Sequence, residues 1–190
     1  GNQLVDYQKS IDSLFYLINK SLSTYLPSSA ISKINSGDTT VVVDAFFVEV
    51  FQKSKRIHKE TNGYFDPTVG NLVNALGFGP NEPQKELDSL TVLEMMDLVG
   101  FDKVQLIQQQ IVKDDPKIFI DFNSIAKGFG VDVIGRFLEK KIITNYMVEI
   151  GGEIRARGNS IKGSPWKIAV EKPNTDGSQS FQKIIVISNQ

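Results

Sequence analysis

The stretch Ile118-Phe-Ile-Asp-Phe-Asn-Ser-Ile-Ala-Lys-Gly-Phe-Gly-Val-Asp132 carries the residue types best suited to chemistry on a phosphate. It reads as a buried strand that ends on an acid, Asp121, and turns within three residues into a helix with Lys127-Gly128 in its first turn. A strand stopping at a helix N-terminus aims backbone N–H groups and the positive end of the helix dipole at one point. A lysine and a glycine there suit phosphate oxygens. The competing reading is an ordinary connection in which Lys127 is merely solvated. Three further loops are marked by glycines, aromatics or acids: Ser23–Asn35, Gly63–Gly79 and Glu149–Gly158. Tyr25, beside Pro27, is placed either to stack on a planar ring or to cover a helix end. Asp66-Pro67 is a common turn pair, and Gly151-Gly152 permits either close backbone approach or a hairpin turn.

These loops need a scaffold. Leu4, Tyr7, Ile11, Leu14, Phe15, Ile18 and Leu22 recur at helical spacing and predict a helix over 4–22, ended at Ser23–Ser29 with Pro27. A short helix over Ser29–Asn35 follows, then a longer one from an N-cap at Asp44 to about Thr61, stopped by Asn62-Gly63. A short helix begins near Pro67, and residues 79–90 read as a surface loop. Thr91-Val-Leu-Glu94 has capping-box spacing ahead of one or two helical turns. Strands are expected at Lys103–Ile107, Gln110–Lys113, Lys117–Phe122, Asn145–Ile150, Glu153–Arg157, Lys167–Glu171 and Lys183–Ser188, with a helix over Ser124–Lys140. Helices early and strands late predict a single α+β unit over 1–190, N-terminal helices packed on a mainly antiparallel sheet.

Composition narrows the function. The chain has 190 residues, 41% of them hydrophobic, enough for one sizeable core. Lysine plus arginine number 21 against 22 acids, so nucleic acid is not an expected partner. No apolar run has the length of a membrane span. With no cysteine there is no thiolate nucleophile or thiolate metal site, and the one histidine, His58, reads as a surface or core residue in mid-helix. Gly1-Asn2-Gln3 reads as a cut edge rather than a natural start.

Taken together, the motifs resemble the ApbE family of flavin transferases. The matching segments are Ser23-Thr-Tyr-Leu-Pro-Ser-Ser-Ala-Ile-Ser-Lys-Ile-Asn35, Gly63-Tyr-Phe-Asp-Pro-Thr-Val-Gly-Asn-Leu-Val73 with Gly77-Phe-Gly79, Asp121-Phe-Asn-Ser-Ile-Ala-Lys-Gly128, Val148-Glu-Ile-Gly-Gly-Glu-Ile154 and Gly163-Ser-Pro-Trp166. Each is weak alone; five in one order across nearly the whole chain make a specific match. The resemblance implies a Mg²⁺-dependent enzyme that splits FAD and attaches FMN to a threonine or serine of an exported flavoprotein subunit. It implies that Tyr25 stacks on the isoalloxazine and that Tyr64, Phe65 and Asp66 form a flavin-contacting loop. It also implies that Asp121 and Lys127 bind FAD and that the Ser124 carbonyl helps hold the metal. Such chemistry depends on neutralising phosphate charge more than on a covalent nucleophile.

The family's N-terminal Met-Gly-Thr segment is not found here, and its later Thr-Ser-Gly motif and Asp and Thr metal ligands would fall beyond Gln190. The resemblance therefore implies that residues 1–190 are about half to two-thirds of a family member, lacking its C-terminal part. It also implies an exported protein, lipid-anchored on the periplasmic face of the cytoplasmic membrane. FAD hydrolysis to FMN and AMP, or flavin binding without turnover, needs the same pyrophosphate site and stays open from sequence. If Tyr25 stacks on the flavin, Tyr25→Ala in the full-length protein weakens FAD binding about tenfold, the worth of one aromatic face. Flavin-fluorescence titration checks this, and an unchanged dissociation constant removes Tyr25 from the site.

Overall fold

The computed structural model describes residues 5–80, 87–173, 178 and 180–187. Leu4, half of the expected loop at 79–90 (residues 81–86), and Ser188 at the end of the last expected strand lie outside the described residues. The fold is α+β, and the strand pairing among the described residues is antiparallel. The backbone divides into two compact units, Gly1–Ala126 and Lys127–Gln190, where the sequence reading treats 1–190 as one.

The first unit opens with α1 (Gln8–Leu22), α2 (Ala30–Asn35) and α3 (Ala45–Glu60). The last two each begin where a short polar side chain takes an orphan backbone N–H. Ser29 Oγ accepts from the Ser32 N–H at 3.0 Å to start α2. Asp44 Oδ1 accepts from the Phe47 N–H at 2.9 Å to start α3, and the buried Ser21 hydroxyl of α1 donates to the same oxygen at 2.9 Å. One carboxylate thus caps α3 and ties it to α1. A 3₁₀ turn (Pro67–Val69) leads into α4 (Gly70–Ala75). Next comes α5 (Ser89–Asp97), whose cap is Asp88 and not Thr91: Asp88 Oδ1 accepts from the Thr91 N–H at 2.7 Å. The aspartate, three residues earlier, outcompetes the threonine, and the helix gains a turn.

Strands β1 (Val104–Ile107) and β2 (Gln110–Lys113) form a hairpin around Gln108-Gln109, both at positive φ, the backbone of a tight two-residue turn. The core of this unit gathers Leu22, Ile31, Ile34, Phe47, Val50, Phe51, Phe101, Ile118, Ile120 and Phe122, all buried. Phe122 meets Phe47 edge-on at 5.4 Å between ring centroids.

The expected strand at Lys117–Phe122 joins no ladder among the described residues, and Lys117 lies in a turn. Much of its backbone is satisfied by side chains instead. The Asn35 amide donates from Nδ2 to the Ile120 carbonyl at 2.8 Å and accepts the Ile120 N–H at Oδ1 at 2.9 Å, as a neighbouring strand would. Lys113 Nζ donates to the carbonyls of Ile118 (2.9 Å), Pro116 (2.8 Å) and Ile34 (3.1 Å). Burial lowers the Lys113 ammonium below its ordinary value, opposed by Asp115. Asn71 Nδ2 donates to the Lys117 carbonyl at 2.9 Å. An apolar run bound this way has the pattern of a buried strand and none of the strand's neighbours.

In the second unit lies the greater part of α6 (Asn123–Lys140), with the hairpins β3 (Tyr146–Ile150) to β4 (Glu153–Arg157) and β5 (Trp166–Glu171) to β6 (Phe181–Ile187). Gly151 and Gly152, both at positive φ, make the β3–β4 turn, so the hairpin reading of the diglycine holds. Arg155 on β4 reaches α6 at Asp132 (2.8 Å) and Glu139 (3.0 Å) while its Nε donates to the Tyr146 hydroxyl at 3.1 Å. Gly135 makes room for it: a Cβ there would lie 2.6 Å from Arg155 Cδ.

Because Ile120 is fully buried, Asn35→Ala leaves both of its backbone polar groups without a partner. The expected loss is about 2–4 kcal/mol of unfolding free energy, measured by urea denaturation.

Candidate functional site

Three of the four motif loops meet in the first unit through specific hydrogen bonds. The Tyr25 hydroxyl donates to the Phe78 carbonyl at 3.2 Å, joining the first loop to Gly77-Phe-Gly79. Asn123 Nδ2 donates to Thr24 Oγ1 at 3.2 Å, joining the first loop to the turn ahead of α6. The Asp121 N–H donates to the Pro67 carbonyl at 2.7 Å, joining that turn to the Tyr64–Pro67 loop. Tyr25 is 60% exposed and Tyr64 96% exposed, so two aromatic side chains stand toward solvent beside this junction. The fourth loop, the β3–β4 turn, is in the second unit together with Lys127.

The sequence-predicted residues differ in what their side chains are free to do. Asp121 is 7% exposed, and its carboxylate folds back over the start of α6, accepting the Asn123 N–H at 2.6 Å and Asn123 Nδ2 at 3.1 Å. Burial pushes this carboxyl above its ordinary range, against the pull of the Asn123 hydrogen bonds. Of the N–H groups that open α6, Asn123's goes to Asp121, while Ile125's and Ala126's go to the Phe122 carbonyl. The helix start is therefore largely occupied by its own chain, and only the Ser124 N–H has no partner among the described residues. Ser124 itself is exposed.

Lys127 falls in the second turn of α6, one turn later than expected, because the helix begins at Asn123. It is not simply solvated: its ammonium lies 3.1 Å from Glu153 Oε1. The hydrogen bond and charge of Lys127 hold the Glu153 carboxyl below its ordinary value. The ammonium also lies against the turn, 3.6 Å from where a Cβ on Gly151 would sit.

Asp66 is an internal brace. Its Oδ1 accepts the Thr68 N–H at 2.8 Å and the Thr68 hydroxyl at 2.5 Å, and its Oδ2 accepts the Phe101 N–H at 3.0 Å. Tyr64 and Phe65 belong to the loop so held. Sequence reading missed Asn35, Thr68, Asn123, Glu153 and His58 as parts of this arrangement. Each is an ordinary polar residue whose partner is distant in sequence or set by a turn, and no local pattern marks it. Among the described residues, no group of three or more His, Asp or Glu side chains could hold a metal ion.

Within its first unit this α+β chain brings together the loops that carry Tyr25, Tyr64–Pro67 and Asp121. The chain belongs to the ApbE family, which it matches over residues 2–190. It is 39% identical to the FAD:protein FMN transferase of Haemophilus influenzae over 189 residues, covering 95% of this chain and 55% of that protein. To the enzyme of the same name from Vibrio cholerae it is 38% identical, covering 94% and 54%. The solved flavin transferase ApbE from Vibrio cholerae superposes with a TM-score of 0.89 at 34% identity, covering 100% of this chain and 63% of that one. The chain spans little more than half the length of the curated relatives it matches.

The raised Asp121 carboxyl carries a pH signature. A folded value above the unfolded one gives stability that is fully present below about pH 4, the unfolded value, and is lost as pH rises through the folded value. Ionised Asp121 is thus a cost at neutral pH. Asp121→Asn raises Tm at pH 7, the Asn123 amide turning over to keep the pair, and the gain vanishes below about pH 4 in thermal scans.

Proposed function

We propose that the full-length protein is an FAD:protein FMN transferase. The hydroxyl oxygen of a threonine or serine on an exported flavoprotein subunit attacks the FMN phosphorus of FAD. One P–O bond forms, the pyrophosphate P–O bond breaks, AMP leaves, and the hydroxyl proton is released. The observation that carries this reading is membership of the ApbE family at 39% identity to a relative of that name.

The residues here have definable parts in it. Tyr25 offers a ring face for the isoalloxazine, its orientation set by the hydroxyl's bond to Phe78. Tyr64 and the backbone of Phe65 and Asp66 line the same ligand. Lys127 holds a positive charge ready for phosphate oxygens, and Glu153 keeps that charge in place until phosphate takes over. Asp121 orients the start of α6 from a buried position through its bonds to Asn123.

A Mg²⁺ requirement is part of the reading, with the Ser124 carbonyl as one oxygen ligand. The described residues do not make a Mg²⁺ site by themselves, since one carbonyl without carboxylates is too few donors. The remaining donors in this reading are other oxygens of the full-length protein, of FAD or of water. We place the protein outside the cytoplasm, lipid-anchored on the periplasmic face of the cytoplasmic membrane. No helix among the described residues is long and apolar enough to cross a membrane.

Incubation of the full-length protein with FAD, Mg²⁺ and an acceptor subunit, followed by intact-mass measurement, tests the proposal. The expected result is an acceptor mass increase equal to FMN. Free FMN with AMP and no adduct means a hydrolase, and unchanged FAD means a binding protein. Residues 1–190 alone are expected to transfer no FMN; efficient transfer by them would place the whole catalytic apparatus within this chain.

A further inference from the structure

His58, near the C-terminal end of α3, is not an idle helix residue. Its Nδ1 lies 2.8 Å from the Phe65 carbonyl oxygen. A carbonyl only accepts, so Nδ1 carries the hydrogen. The same nitrogen is 3.5 Å from Asp66 Oδ2. The imidazole packs edge-on against Phe101, 5.9 Å between centroids. From the other side the Phe65 N–H donates to Thr61 Oγ1 at 3.1 Å. Both backbone polar groups of Phe65 are therefore held by side chains from the end of α3. Both Asp66 oxygens are held by Thr68 and Phe101. Tyr64, 96% exposed, is what this clamped loop presents outward.

We propose that His58 is a positioning residue for flavin binding. Acting through the Phe65 carbonyl, it fixes the loop that carries Tyr64 and the Phe65–Asp66 backbone, while the Asp66 carboxylate works inside the clamp and not on the ligand. This rests on the flavin-site reading above. Without the imidazole donor the Asp66 brace still holds the fold, but the end of the loop samples other conformations. Ligand affinity falls by the fraction of time the loop spends away from the competent one. A residue that served only packing would lower stability and leave affinity unchanged.

The test uses full-length protein, FAD titration by flavin fluorescence, thermal scans and steady-state kinetics. His58→Phe keeps the ring edge on Phe101 and removes the donor. It is expected to raise the FAD dissociation constant and KM about tenfold with kcat unchanged. His58→Asn sets an amide donor near the place of Nδ1 and is expected to recover affinity to within about threefold of the parent. Parent-like FAD binding by His58→Phe, or equal impairment of the Phe and Asn variants, overturns the proposal. Should His58→Phe not fold, His58→Leu, which also lacks the donor, takes its place with the same two outcomes. Tyr25→Ala in the same titration separates the levels. If the parent does not bind FAD, or Tyr25→Ala binds it unchanged, the flavin-site reading fails. A normal loss at Tyr25 beside a silent His58 overturns only the role given to His58.

Discussion

The double hydrogen bond between the Asn35 amide and the Ile120 backbone is the interaction on which the first unit depends. Residues 118–122 bury Ile118, Ile120 and Phe122 fully and pair with no strand among the described residues. Buried backbone must be paired, and a primary amide is the one side chain that offers a donor and an acceptor side by side, as a peptide does. Because Asn35 ends α2 and Ile120 directly precedes Asp121, the same pair fixes the distance between the Tyr25 loop and the start of α6. Lys113 completes the arrangement by placing its ammonium on three carbonyls. A side-chain lattice therefore does here what a sheet does elsewhere, and the loops that carry the candidate site hang from it.

Much of this fold is legible in the chain because its causes are local. The Asp44 cap, the periodicity of α1 and α3, and the alternating runs of the hairpins depend on residues within a few positions of each other. The segment at 117–122 escaped because an apolar extended run has one pattern whether its partner is a strand or an asparagine. At α5 two caps with equivalent spacing competed, and the carboxylate at Asp88 prevailed over Thr91. The candidate site was read in a different way. Order and identity of motifs brought Tyr25, the Tyr64–Asp66 loop, Asp121 and Lys127 forward. Nothing local distinguished Asp66, whose oxygens are consumed inside the fold, from a ligand-facing acid.

The charged groups are arranged in a consistent manner. Asp121 sits under cover with its carboxyl raised by burial, whereas Lys127 remains half-exposed against a partly exposed Glu153. Buried charge at Asp121 strains the folded state; the exposed pair costs little and can exchange partners. A buried acid and a cation free to exchange partners thus lie within one short stretch of chain.

The Arg155 cluster has a consequence for which changes of length the chain tolerates. Asp132 and Glu139 are tied to one guanidinium on β4, which fixes the rotational setting of α6 against its hairpin. A helix turns about 100° per residue. One residue inserted or deleted between Lys127 and Asp132 would swing the lysine around the axis and away from Glu153, while the anchor held the rest of the helix still. This five-residue interval acts as a ruler, and its count cannot change without moving the lysine.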